Sequence, residues 1–215
     1  MGEITEFFDD RRVAIAAGEV LPMETRADAL RCLVDSFHGV ARRGGWWTNL
    51  DTGEDLDRDP VQLLALMNSE LNEAFEGDRK NLMDDHLPDR PMREVELADF
   101  QIRAFDMVGG LGLTEEFISV CVSFGEVVDE IKLHSDKFYR VLFDLQKIVT
   151  SYEEGSGQES SELAELLASA VMASFVVGKG FGLDLPGALA AKGAYNVQRE
   201  DHRLEKRREK NGKKF

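Results

Sequence analysis

Apolar residues recur along this chain at the 3.6-residue period of amphipathic helices. Within residues 1–43, Ile4, Phe7 and Phe8 begin one such pattern, and Leu30, Leu33, Val34 and Phe37 carry a clearer one. The best-marked helix follows Asp59, which is suited to the N-cap, with Pro60 at the first helical position. Its stripe is Leu63, Leu64, Met67, Leu71, Ala74 and Phe75, and Gly77 follows the last periodic residue as its expected end. A second helix is predicted from about Arg93 to Val108, with Leu97, Phe100, Ala104, Met107 and Val108 inward and Gly109-Gly110 as its stop. The segment between them, 77 to 92, is rich in Asp, Arg and Pro and reads as irregular. These patterns predict an all-α protein, a helical bundle.

The polar edges of this helix pair hold the chemistry. Glu70-Leu-Asn-Glu73 lies on the first helix and Glu96-Leu-Ala-Asp99 on the second, each acid pair sharing one edge. Arg103 and Asp106 continue the second row at three- and four-residue steps, and Asp99 to Arg103 is also the spacing of an ordinary solvated ion pair. Antiparallel packing would turn four carboxylates toward one another, and such a group repels unless a cation lies among them. A hard divalent cation, with its preference for oxygen ligands and phosphate, is the natural occupant.

Several stretches resemble one family. They are Gly45-Trp46-Trp47-Thr48, Ser69-Glu70 through Glu76-Gly77-Asp78-Arg79-Lys80, Asp84-Asp85-His86-Leu87-Pro88, and Glu94 through Asp99 with Ile102-Arg103. This text, with Glu-x-x-Glu and Glu-x-x-Asp some twenty residues apart, is similar to the MazG-like all-α NTP pyrophosphohydrolases, relatives of the dimeric dUTPases. The ending, with Lys192, Tyr195, Asn196 and Arg199, resembles the same proteins, where such residues close the chain near the nucleotide. The resemblance covers most of 36–113 and 180–215. It implies a MazG-like bundle that hydrolyses a nucleoside triphosphate to monophosphate and pyrophosphate by attack at the α-phosphate. It further implies Mg²⁺, with Mn²⁺ as a substitute, on Glu70, Glu73, Glu96 and Asp99, and Glu73 as an alternative base for the water. Arg79, Lys80, Arg103, Lys192, Tyr195, Asn196 and Arg199 would contact substrate.

A second copy of the helix pair follows. Glu162 to Leu185 echoes Glu96 to Leu113, and Gly125-Glu126 with Asp129-Glu130 opens a further amphipathic pattern. The chain therefore divides into 1–58, N-terminal helices and Trp loop; 59–113, the acidic helix pair; 114–191, a second and degenerate module; and 192–215, a basic segment completing the site. The two modules are expected to pack as a pseudo-dimer, a plan compatible with a homo-oligomer. Gly110-x-Gly112 and Gly180-x-Gly182 follow no predicted strand, which argues for helix terminators rather than a phosphate loop.

Charge narrows the partners. The net charge is −15, yet residues 192–215 hold nine Lys and Arg against four Asp and Glu, which leaves the rest near −20. So acidic a body argues against nucleic acid as a partner. No run of about eighteen apolar residues is evident, the N-terminal Met1-Gly2-Glu3 lacks a basic secretory start, and Cys32 and Cys121 read as reduced core thiols. These features point to a cytoplasmic protein without a membrane segment. Trp46 and Trp47 read as packing residues, with stacking on a nucleobase as the alternative, and His38 as structural. Arg79 and Lys80 either neutralise a helix C-terminus or meet polyphosphate. The rival to an enzyme is a non-catalytic helical nucleotide sensor or scaffold.

Overall fold

The computed structural model describes residues 23–124, 132–152, 159–209 and 212. Among them are eight α-helices and no β-strand: α1 Met23–Arg43, α2 Pro60–Lys80, α3 Met92–Gly110, α4 Thr114–Phe124, α5 Phe138–Val149, α6 Glu159–Gly180, α7 Leu185–Gln198 and α8 Leu204–Arg208. The protein is all-α, as the apolar period requires. The patterns at Ile4 to Phe8 and at Glu126 to Glu130 lie outside the described residues, as do Lys213 to Phe215.

Helix α3 is the axis. Val95, Leu97, Ala98, Phe100, Ala104, Phe105, Met107 and Val108 are fully buried, because α1, α2, α6 and α7 all pack against it. Helix α2 begins as expected: the Asp59 carboxylate accepts from the Val61 N–H at 2.8 Å. It does not end at Gly77. It continues to Lys80 and stops at Asn81, which takes the left-handed conformation (φ 50°). Gly77 instead permits close helix approach, since a Cβ there would lie 2.8 Å from the Met92 Cβ and 2.9 Å from the Arg93 nitrogen. Phe75 also departs from the expected stripe and is exposed. The loop 81–91 is irregular but held: Asp84 accepts from the His86 and Leu87 N–H groups, and Met92 N–H donates to the Leu82 carbonyl.

The echo between α3 and α6 extends to their ends. Leu111 N–H donates to Met107 O and Phe181 N–H to Val177 O, both at 3.0 Å, and Gly112 and Gly182 follow with φ of 70° and 66°. Both Gly-x-Gly pairs therefore end helices. The unit α2–α3–α4 meets the unit α5–α6–α7 with α2 against α5 and α3 against α6, while α4 packs on α6 and α7 on α3. One apolar core runs through both units. The boundary expected at 191/192 falls inside α7, so the basic segment is no separate unit.

Helix α6 also corrects the membrane expectation. Ser160–Gly180 is long and apolar enough, by length and composition, to span a bilayer. Half of that stretch is buried, with α3, α4 and α5 packed against it, as in the core helix of a bundle. Cys32 and Cys121 are free thiols, and burial pushes that of Cys121 up to about 12.

Trp47 fixes the loop after α1. Its ring is buried, and its indole N–H donates to Asp106 Oδ1 at 2.8 Å. A Cβ on Gly110 would lie 2.0 and 2.1 Å from ring atoms of Trp47. Gly110→Ala is accordingly expected to destabilise the protein by at least about 2 kcal/mol, an overpacking cost in a site that cannot yield. Chemical denaturation checks this, and an unchanged midpoint would contradict the packing described.

Candidate metal and phosphate site

The antiparallel pairing of α2 and α3 brings three carboxylates together. Glu70, Glu96 and Asp99 each place an oxygen within 4.8 Å of the others. Glu70 and Glu96 are each only 5% exposed, so they lie inside the helix interface rather than along an open edge. The fourth expected ligand, Glu73, is exposed and outside this group, although its charge still acts on Glu96. The reason is angular. Three residues on a helix amount to a turn of about 60° away, so with Leu71 and Ala74 inward, Glu70 faces α3 and Glu73 the solvent.

The cation among these acids is Lys192, 3% exposed on α7, with its ammonium 2.9 Å from Asp99 Oδ2 and 4.0 Å from Asp84 Oδ2. Burial works against the Lys192 charge, but Asp99, with Asp84 and Glu96 adding to it, holds the ammonium above its ordinary pKa. Burial raises the Asp99 carboxyl, with Lys192 opposing. Burial and then Asp99 push Glu96 up to about 9. Arg103 pairs with Glu70 across the helix interface; no ion pair joins it to Asp99, the partner its spacing suggested.

Helix α7 is held at the angle that delivers Lys192. Glu94, buried on α3, accepts from the Asp184 N–H at 2.8 Å and from Arg90 at 2.6 Å, and Asp184 caps α7 through the Gly187 N–H at 2.9 Å. Arg90 and Asp184 are not among the expected site residues, and Asp84 enters the sequence only within the stretch Asp84 to Pro88. Asp84 and Arg90 belong to the Asp- and Arg-rich connection 77–92, whereas Asp184 carries no comparable local signal.

Beside the cluster lies a cavity of about 350 Å³. Asp99, Arg103 and Asp106 line one side, and Asn196, Arg199 and Trp46 are among the residues lining the rest. Arg199 is held by Asp201 through bonds of 3.0 and 2.7 Å and lies over the Tyr195 ring, which itself packs on His86. The Trp pair divides its roles: Trp47 is a packing residue, whereas Trp46 faces the cavity with the Arg207 guanidinium 3.6 Å from its ring centre. His38 is structural in the sense expected, its Nδ1 donating to Asp106 Oδ1 at 2.9 Å. Arg58, 6% exposed, also lines the cavity and was not anticipated.

Arg79 and Lys80 are not brought to the site. Both pair with Glu76, and Arg79 is some 13–14 Å along α2 from Glu70 at the helical rise. In the second unit, Glu162 and Glu165 are exposed, and among the described residues neither joins a cluster of potential metal ligands. No family model, curated protein or solved structure matches this chain.

The donor set suits a hard cation. Three carboxylate oxygens within 4.8 Å of one another make an all-oxygen set of the kind that a hard divalent cation prefers.

Proposed function

We propose that this chain is a Mg²⁺-dependent nucleoside triphosphate pyrophosphohydrolase. The observation that carries this reading is the buried group Glu70, Glu96 and Asp99, of which Asp99 also lines a cavity whose walls include Arg103 and Arg199. Acids hold the cation, and the arginines supply donors for the phosphates. A divalent cation bound there would polarise a phosphoryl oxygen and acidify a water.

The chain's own residues divide the remaining work. Asp99 belongs to both the cluster and the cavity, so a nucleoside filling the cavity sets its nearest phosphate, the α-phosphate, beside the acids. Glu73, which the resemblance offers as a base for the water, is exposed and belongs to neither the acid group nor the cavity lining, so it has no assigned part in this arrangement. Lys192 and Arg103 neutralise the carboxylates that the ligand's own negative charge would otherwise oppose. Lys80 and Arg79, tied to Glu76, have no part in this arrangement.

The test is a panel of deoxynucleoside and ribonucleoside triphosphates with Mg²⁺ or Mn²⁺, followed for pyrophosphate, orthophosphate and monophosphate. Equimolar monophosphate and pyrophosphate is the expected result. Orthophosphate release would overturn cleavage at the α-phosphate, and binding without turnover would replace the enzyme by a nucleotide sensor.

A further inference from the structure

The cavity has a second end, and we infer that this end reads a nucleobase bearing an exocyclic amino group, an inference resting on the nucleotide reading above. Asp99, Arg103 and Asp106 follow one another along one face of α3, so the cavity runs about 10 Å along that helix from the acidic cluster to Asp106. A nucleotide with its first phosphate at Asp99 therefore directs its base toward Asp106. The side walls there suit an aromatic ring, since Phe37, Trp46, Leu66 and Ile102 are apolar.

Two acceptors stand out among the polar groups lining this cavity, the Asp106 carboxylate and the Asn196 amide oxygen. Asp106 is held rigidly, its Oδ1 accepting from Trp47 Nε1 at 2.8 Å and from His38 Nδ1 at 2.9 Å. Both bonds fall on that one oxygen and engage neither lone pair of the second. Asn196, on the facing helix α7, has a buried Oδ1 with no hydrogen-bond partner. A carboxylate can only accept, so it favours an N–H donor and opposes a ring oxo group, whose lone pairs would face its own. Arg58 lies against the Trp47 ring at 5.5 Å and lines the same cavity, supplying a cationic donor for a ring acceptor beside that amino group. Cytosine and guanine present such an amino group beside an acceptor, whereas uracil has an oxo group in its place and hypoxanthine lacks it.

Two matched pairs test this: dCTP against dUTP, and dGTP against dITP. Turnover with Mg²⁺ and equilibrium dialysis of the same four nucleotides are measured on the full chain. The amino member of the preferred pair should lead in kcat/KM by about tenfold or more, because its analogue leaves a buried acceptor unmatched. Asp106→Asn keeps one oxygen to accept from Trp47 and His38 but turns the other acceptor into a donor. That variant should level or invert the ratio, and near-UV circular dichroism reports whether Trp47 remains packed. A ratio near one in both pairs, or a ratio that Asp106→Asn leaves intact, overturns the inference. If Asp106→Asn does not fold, the wild-type ratios alone decide. Failure to bind or cleave any of the four nucleotides would remove the nucleotide reading itself, whereas binding without an amino preference removes only this inference.

Discussion

Glu96→Gln is expected to abolish turnover and yet make the metal-free protein more stable. Glu96 is buried beside two other acids, and burial followed by Asp99 lifts its carboxyl from an ordinary 4.5 to about 9, with Lys192 pulling the other way. Gln keeps the shape and removes the charge that this environment opposes. A neutral amide is a poor ligand for a hard cation, so turnover should fall by about a thousandfold or more. The sign of the pH dependence follows. A carboxyl raised in the folded state stabilises most below its unfolded value, and that contribution is lost as pH rises from about 4.5 through about 9. Without divalent metal, the wild-type Tm should therefore decline across that window more steeply than that of the variant. Added Mg²⁺ should raise the wild-type Tm more at pH 8 than at pH 5.5. Thermal scans with and without Mg²⁺, beside pyrophosphate release, check all of this. Wild-type turnover in the variant would remove Glu96 as a ligand. A variant Tm below wild type at every pH would contradict the electrostatic account.

Lys192→Met is the counterpart with the opposite sign. Lys192 is the cation buried with Asp99 and near Asp84, and Met fills similar space without charge. Removing one partner of a buried ion pair strands the other, which costs about 3–5 kcal/mol. Here Asp99 would be left facing Glu96 and Glu70 with Arg103, 40% exposed, as the nearest relief. The metal-free variant should lose about 3 kcal/mol or more by denaturant unfolding, and Mg²⁺ should restore a larger share of Tm than it adds to wild type. Asp99→Asn would abolish turnover as Glu96→Gln does but lose stability, since it unpairs the same lysine. Equal unfolding midpoints for Lys192→Met and wild type would mean that Lys192 is not the counter-ion of this cluster. Removing 192–215 altogether is a poorer test, because it cuts α7 after Leu185, Ala188 and Leu189, which belong to the core.

What the sequence by itself determined is local. Apolar residues at helical spacing set α2 and α3, Asp59-Pro60 set where α2 begins, and Gly112 and Gly182 set where α3 and α6 end, because caps and left-handed turns act over a few residues. The acid positions at 70, 73, 96 and 99 were likewise legible, as was the echo between the two helix units. Tertiary structure decided which of those acids meet. Glu73 is turned to solvent by about 60° of helix rotation, and Lys192 enters from a helix 93 residues beyond Asp99 in sequence, at an angle fixed by Glu94 and Asp184. Gly77 looked like a stop because glycine ends helices, but its use is to let α2 and α3 touch, a demand that comes from the partner helix. Phe75 fits the period of a core residue and is exposed, because periodicity gives a direction and only packing says whether anything lies there. Asp106 was one acid in a helical row until Trp47 and His38, 59 and 68 residues away, fixed its carboxylate at the end of a cavity. Such contacts depend on how helices are placed against one another, and no local period encodes that placement.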